Sequence, residues 1–143
     1  MARYRTTVSS TMSASEAFDY MAAFENVATW DPGVRTAKRT TDGEPALGTR
    51  FAVEASFMGR PLPLDYEITS FEAGRTFVLI AETSTIRSID TVTVVADGQG
   101  SKVTYDADLV LKGVLKIFDP ALRLGFRSVG DKARDGLQKA LNP

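Results

Sequence analysis

Tyr66 and Tyr105 each fall on the apolar phase of an alternating segment, a position that carries a phenol inward with a hydroxyl in need of a partner. Asp90 shares its phase with Val92 and Val94, and Glu82 shares one with Val78 and Ile80. A carboxylate on an inward phase loses hydration, so its pKa rises and it becomes capable of general acid or base work. The commoner fate of such a carboxylate is a strand end in water, and that of a single tyrosine is a sheet rim. Little else in the chain is reactive. The 143 residues include no His and no Cys, which removes thiolate nucleophiles, imidazole bases, Ser-His-Asp arrangements and conventional zinc or haem sites. No G-x-G-x-x-G or Walker segment and no D-x-D-x-D-G loop is present, so no metal, nucleotide or other cofactor is expected.

Charge and composition narrow the partners. Lys and Arg total 17 against 18 Asp and Glu, a formal net charge of −1 with no long run of one sign. That balance argues against a dedicated nucleic-acid binder, whose affinity rests on neutralising phosphates. The 43% apolar content is that of a globular chain. No run approaches the about 18 consecutive apolar residues of a membrane-spanning helix. Residues 1–12 lack the apolar core of a secretory signal, and a cytoplasmic location is expected. The length predicts one domain over 1–143, enough to bury about two thirds of the unfolded surface.

The elements that must position the reactive residues are legible in the patterning. Residues 3–11 are rich in β-branched and hydroxyl side chains and read as a strand. Ser13 and Glu16 have capping-box spacing and open a helix whose inner face is Ala17, Phe18, Met21 and Phe24. A second short helix runs from Val27 to Trp30 and stops at Asp31-Pro32-Gly33. From Val34 the period turns to two. Phe51, Val53, Ala55 and Phe57 form one apolar face, and Met58-Gly59-Arg60-Pro61 reads as its hairpin turn. Leu64, Tyr66 and Ile68 return, followed by strands at 76–82, 89–95 and 103–111. In 76–82 both faces are apolar and the alternation does not distinguish them. Six or seven strands with short connections predict an α+β protein built on an antiparallel sheet.

The chain then closes on a long amphipathic helix. Asp119 is placed to cap it and Pro120 to start it. Leu122, Phe126, Val129, Ala133, Leu137 and Ala140 recur along one stripe. Phe118, Leu122 and Phe126 in the first half are bulky, whereas Ala133, Gly136 and Ala140 in the second are small. Small residues permit close approach, so any pocket is expected under the first half. The bland alternative is a fully packed interior without a void. Arg123, Arg127 and Arg134, interleaved with Asp131 and Asp135, read as a solvated face, with Leu124 alone among them.

On this pattern the chain resembles the START-like, or SRPBCC, superfamily, and within it the polyketide cyclase/dehydratase-like group. The resemblance covers almost the whole chain. It is carried by the helix Ser15–Phe24, the passage Val27 to Trp30-Asp31-Pro32-Gly33-Val34, Gly48-Thr49-Arg50-Phe51, Gly100-Ser101-Lys102-Val103-Thr104-Tyr105, and Gly113 leading into Asp119-Pro120 and Gly136-Leu137. It implies a helix-grip fold, in which a curved antiparallel sheet wraps a long C-terminal helix, with two short helices after the first strand and a cavity between sheet and helix. It also implies an apolar small-molecule ligand such as a lipid, a quinone or a polyketide-like compound; the inferred cavity and the lack of a broad exposed apolar stripe predict that a monomer or weak homodimer binds it. Trp30, Phe51, Val53, Phe57, Tyr66, Tyr105, Phe118, Leu122 and Phe126 are the candidate ligand contacts, although Trp30 also fits the role of a structural plug. The rival reading is a cyclase-type enzyme with Tyr66 or Tyr105 as acid and Glu82 or Asp90 as base. No set of residues matches a cyclase active site one by one, and none is assigned as catalytic. A third reading is a protein-interaction or toxin-like regulatory module.

Overall fold

Alternating apolar and polar residues build seven strands in a computed structural model that describes residues 1–57 and 59–143. They are β1 (Ala2–Ser10), β2 (Val34–Arg39), β3 (Arg50–Phe57), β4 (Arg60–Glu72), β5 (Thr76–Glu82), β6 (Ile86–Asp97) and β7 (Gly100–Leu111). The expected hairpin turn after β3 includes Met58, which lies outside the described residues. The strands form one antiparallel sheet in the order β1-β7-β6-β5-β4-β3-β2, curled into a half-barrel. Register shifts between Val34 and Thr36 in β2 and between Ile68 and Ser70 in β4 add local bend, as bulges do.

Pairing settles the face of β5 that alternation left open. Leu79 stands opposite Ile68 on one side and Asp90 on the other, so the β5 residues in phase with those two point inward. Phe77, Leu79 and Ala81 are accordingly sealed from solvent, while Val78 and Ile80 lie half-buried on the outer face. Glu82 follows the outer phase. It is exposed and pairs with Arg87 at 3.4 Å and Lys112 at 3.2 Å, which places it outside the interior that a buried base requires.

Helix α1 (Ala14–Ala22) is capped by Ser13, whose hydroxyl oxygen accepts the Glu16 N–H at 3.2 Å and whose proton goes to the Glu16 carboxylate at 3.1 Å. Glu16 thus closes the box on the serine side chain. Ala17, Phe18, Met21 and Ala22 are buried, and the Phe18 ring meets Phe71 and Phe77 edge-on at 5.5 and 5.6 Å. A 3-10 turn at Phe24–Asn26 joins α1 to α2 (Val27–Trp30).

A 3-10 helix at Gly113–Phe118 runs directly into α3 (Asp119–Ala140). Phe118 therefore occupies the cap position, with no side-chain cap, and Asp119 is already helical. The Asp119 carboxylate instead pairs with Arg123 at 2.9 Å and with the amino group of Met1; a negative charge in a first turn still complements the helix dipole. Leu124 faces solvent as expected, but so do Val114 and Ile117 on the preceding 3-10 helix. The second half of α3 sits close to its support. A Cβ on Gly136 would lie 1.9 Å from the Trp30 carbonyl oxygen, and one on Gly130 would lie 2.4 Å from the Tyr4 ring.

Candidate ligand cavity

Between the inner face of the sheet and α3 lies a cavity of about 390 Å³. It opens where inward side chains are small, at Ala55 on β3, Ala107 on β7 and Ala121 and Gly125 on α3. Leu137 is the one fully buried residue of α3. At one end the cavity meets the main core through Phe24, Val27 and Trp30; at the other it is walled by Leu109, Leu111, Phe57, Leu62, Leu115, Leu122 and Phe126, which pack with Ile86 in a separate apolar cluster.

One wall is polar. Tyr66 on β4 donates to the Ser88 hydroxyl at 2.9 Å, Ser88 on β6 donates to one Asp90 oxygen at 3.0 Å, and Tyr105 on β7 donates to the other. The register explains the convergence. Tyr66 and Ser88 both pair with Ala81, and Val92, the next inward residue after Asp90, pairs with Tyr105. Each phenol is braced edge-on by an aromatic from the helical insert, Tyr66 by Phe24 at 5.2 Å and Tyr105 by Trp30 at 5.3 Å. Asp90 is 6% exposed. Loss of hydration is the larger influence on its carboxyl and pushes the pKa up to about 6, against the stabilising hydrogen bonds from Tyr105 and Ser88. Burial likewise carries both phenols well above their usual value, so they remain protonated donors at neutral pH.

Asp31, in the turn after α2, also lines the cavity, and one of its oxygens accepts the Gly33 N–H at 2.8 Å. Burial raises its pKa as well. Arg134 reaches the cavity from α3 and is held by Asp135 at 3.2 Å and Asp131 at 3.5 Å. Among the described residues, no three acidic side chains gather as a metal site would need, and no helix is long and apolar enough to cross a membrane.

A curled antiparallel sheet closed by a C-terminal helix is a fold shared with known proteins. A family model described as polyketide cyclase/dehydrase and lipid transport matches residues 1–142. The chain belongs to this family. Several solved structures share the fold at low identity. A START superfamily protein from Mycobacterium smegmatis is 14% identical, with a TM-score of 0.77 over 99% of this chain and 97% of that one. A protein from Thermus thermophilus is 15% identical, with a TM-score of 0.74 over 98% and 95%. Ginseng major latex-like protein 151 from Panax ginseng is 12% identical, with a TM-score of 0.64 over 99% and 98%. No curated protein matches the sequence.

Within this START-like frame the residues singled out from the sequence separate. Trp30, Val53, Phe57, Tyr66, Tyr105, Phe118, Leu122 and Phe126 all lie on the cavity wall. Phe51 does not. It shares the inward face of β3 but sits two steps closer to the helical insert, where Phe24 covers it edge-on at 5.9 Å and leaves it sealed in the core. The cavity also runs past the first half of α3 to Ala133 and Leu137. Gly136 makes the close contact predicted for that half and Gly130 meets the Tyr4 ring, yet Gly130 and Ala133 both border the void. Ser88, Asp31, Tyr4 and Arg134 are wall residues that the sequence reading missed. For Ser88 a signal was present, since it shares the inward phase of Asp90; Asp31 was hidden in a turn, where an acidic residue is ordinary.

Proposed function

We propose that the protein binds a small hydrophobic molecule, such as a lipid, quinone or polyketide-like compound, in the cavity under α3, acting in the cytoplasm as a monomer or weak homodimer. The observation that carries this reading is a cavity of about 390 Å³ whose walls are mostly apolar, with a hydrogen-bonded cluster of Tyr66, Ser88, Asp90 and Tyr105 and a few further polar groups such as Asp31 and Arg134. Ligand sites combine those features, typically at about 300–1,000 Å³ with a few orienting polar groups. Apolar burial supplies the affinity, and Tyr66 and Tyr105 set orientation. Native mass spectrometry of freshly purified protein should show a co-purifying apolar compound, and an apolar dye should saturate at one site per chain. Ala107→Leu fills the void beside Asp90 and is expected to weaken dye binding at least about tenfold, or 1.4 kcal/mol, with the cooperative melt retained. Unchanged dye affinity in that variant would place binding elsewhere.

A second reading has its own observation. Asp90, with its pKa raised to about 6, is equipped to take an acidic C–H proton, and Tyr66 or Tyr105 polarises a carbonyl once its O–H turns from its wall partner to the ligand, as a cyclase/dehydratase requires. Under that reading the wild-type protein accelerates deuterium uptake at the central carbon of a bound aromatic 1,3-diketone, and Asp90→Asn does not. Equal exchange rates would leave the binding role alone.

A further inference from the structure

Hydrogen-bond direction along the polar wall determines what it still has to offer. The Tyr66 proton is taken by Ser88, the Ser88 proton by Asp90, and the Tyr105 proton by Asp90. Two of these three hydroxyl protons go to the Asp90 carboxylate and the third to the Ser88 oxygen, so all three are spent within the wall and what remains toward the cavity is lone pairs. Asp31 adds a second carboxylate, with one oxygen on the Gly33 amide and no further donor among the described residues. Neither Asp90 nor Asp31 is paired with a Lys or Arg among the described residues. The cation that does line the cavity, Arg134, is already engaged by two carboxylates of its own helix, Asp131 and Asp135. The polar wall thus has acceptors in excess and negative charge without a counter-ion, inside a space where an unmatched charge is costly.

We infer that the cavity selects apolar molecules whose inner end carries a hydrogen-bond donor, a protonated amine in first place and a hydroxyl in second, and discriminates against those that end in a carboxylate. The inference rests on the cavity being a binding site, and it narrows the ligand class. An ammonium supplies both the missing protons and the missing charge. A hydroxyl supplies one proton to Asp90 or to a tyrosine oxygen. A carboxylate brings a third negative charge and no proton, so a free fatty acid is the wrong head group for this wall. Electrostatic complementarity of this kind acts chiefly on selectivity, through the cost imposed on the wrong partner.

Four probes with one apolar body separate the terms: 2-naphthylmethylamine, 2-naphthalenemethanol, 2-naphthoate and 2-methylnaphthalene, titrated against the full chain at pH 8 by fluorescence and calorimetry. The amine should bind at least about tenfold tighter than 2-methylnaphthalene, the alcohol should fall between them, and the naphthoate should be weaker than the hydrocarbon. Asp90→Asn and Asp31→Asn should each reduce the ratio of amine affinity to 2-methylnaphthalene affinity, whatever either variant does to the hydrocarbon alone. Two variants are used so that a fault in one does not decide the outcome. Naphthoate binding as tightly as the amine, or an amine preference unchanged in both variants, would overturn the inference while the cavity reading stands. If none of the four binds, including the hydrocarbon, the cavity reading itself fails and takes this inference with it.

Discussion

Gly136→Ala is expected to destabilise the protein by more than about 1–3 kcal/mol, the ordinary cost of overpacking, while Gly125→Ala, one substitution of the same kind on the same helix, stabilises it. Helix propensity alone predicts a gain of about 1 kcal/mol at both positions. Tertiary contact reverses the sign at one of them. A Cβ at Gly136 would stand 1.9 Å from the Trp30 carbonyl oxygen and 3.0 Å from its carbonyl carbon, both backbone atoms, whereas a Cβ at Gly125 meets nothing within 4 Å. Backbone cannot rotate aside as a side-chain tip does, so α3 must lift from α2. The lift would also disturb the Trp30 ring that braces Tyr105 and the turn that presents Asp31. Denaturant melts of the two variants beside wild type test this; a stabilised Gly136→Ala would show that α3 lies farther from α2 than the structure places it.

Asp90→Asn is expected to raise stability above pH 7 and to remove most of its pH dependence between pH 4 and 7. Burial lifts the Asp90 pKa from 3.8 to about 6 in the folded protein. Over that interval the folded state keeps a proton that the unfolded chain has released, so stability falls as pH rises. The contribution of the protonated form is fully present below 3.8, declines up to about 6, and is absent above it. The gap corresponds to about 3 kcal/mol, at about 1.4 kcal/mol per pH unit. Tyr105 and Asp108 from β7, Ser88 from β6, Tyr66 from β4 and Asp31 from the α2–β2 turn are the groups that bear on Asp90. Asp31, also raised by burial, acts in the same direction and leaves a residual slope in the single variant. Guanidinium melts at half-unit intervals from pH 4 to 8 should show wild type losing stability and Asp90→Asn nearly level. Parallel curves would mean that the Asp90 charge is hydrated in the folded state.

Period-two alternation in 50–57, 64–69 and 103–111, the capping spacing of Ser13 and Glu16, and the apolar stripe from Leu122 to Ala140 determined the antiparallel sheet, the helical insert and the closing helix, because each is a local pattern with one stable way to bury its apolar face. The same phase rule put Tyr66 and Tyr105 on apolar phases and gave Asp90 the phase of Val92 and Val94, without deciding whether that carboxylate lies inside or at a wet strand end. What only the tertiary structure decided follows from pairing and approach between distant segments. The inward face of β5 depends on its register with β4 and β6. Glu82 lies outside because that register ends its strand in solvent beside Arg87 and Lys112. Phe51 is core because Phe24, from another element, lies over it, although its pattern is that of Val53. Asp119 loses the capping role because the preceding 3-10 helix carries Phe118 into that position. The cavity passes Gly130 and Ala133 while Gly136 is closed against the Trp30 backbone, and a stripe of residue sizes cannot say which small residue meets a neighbour and which meets a void.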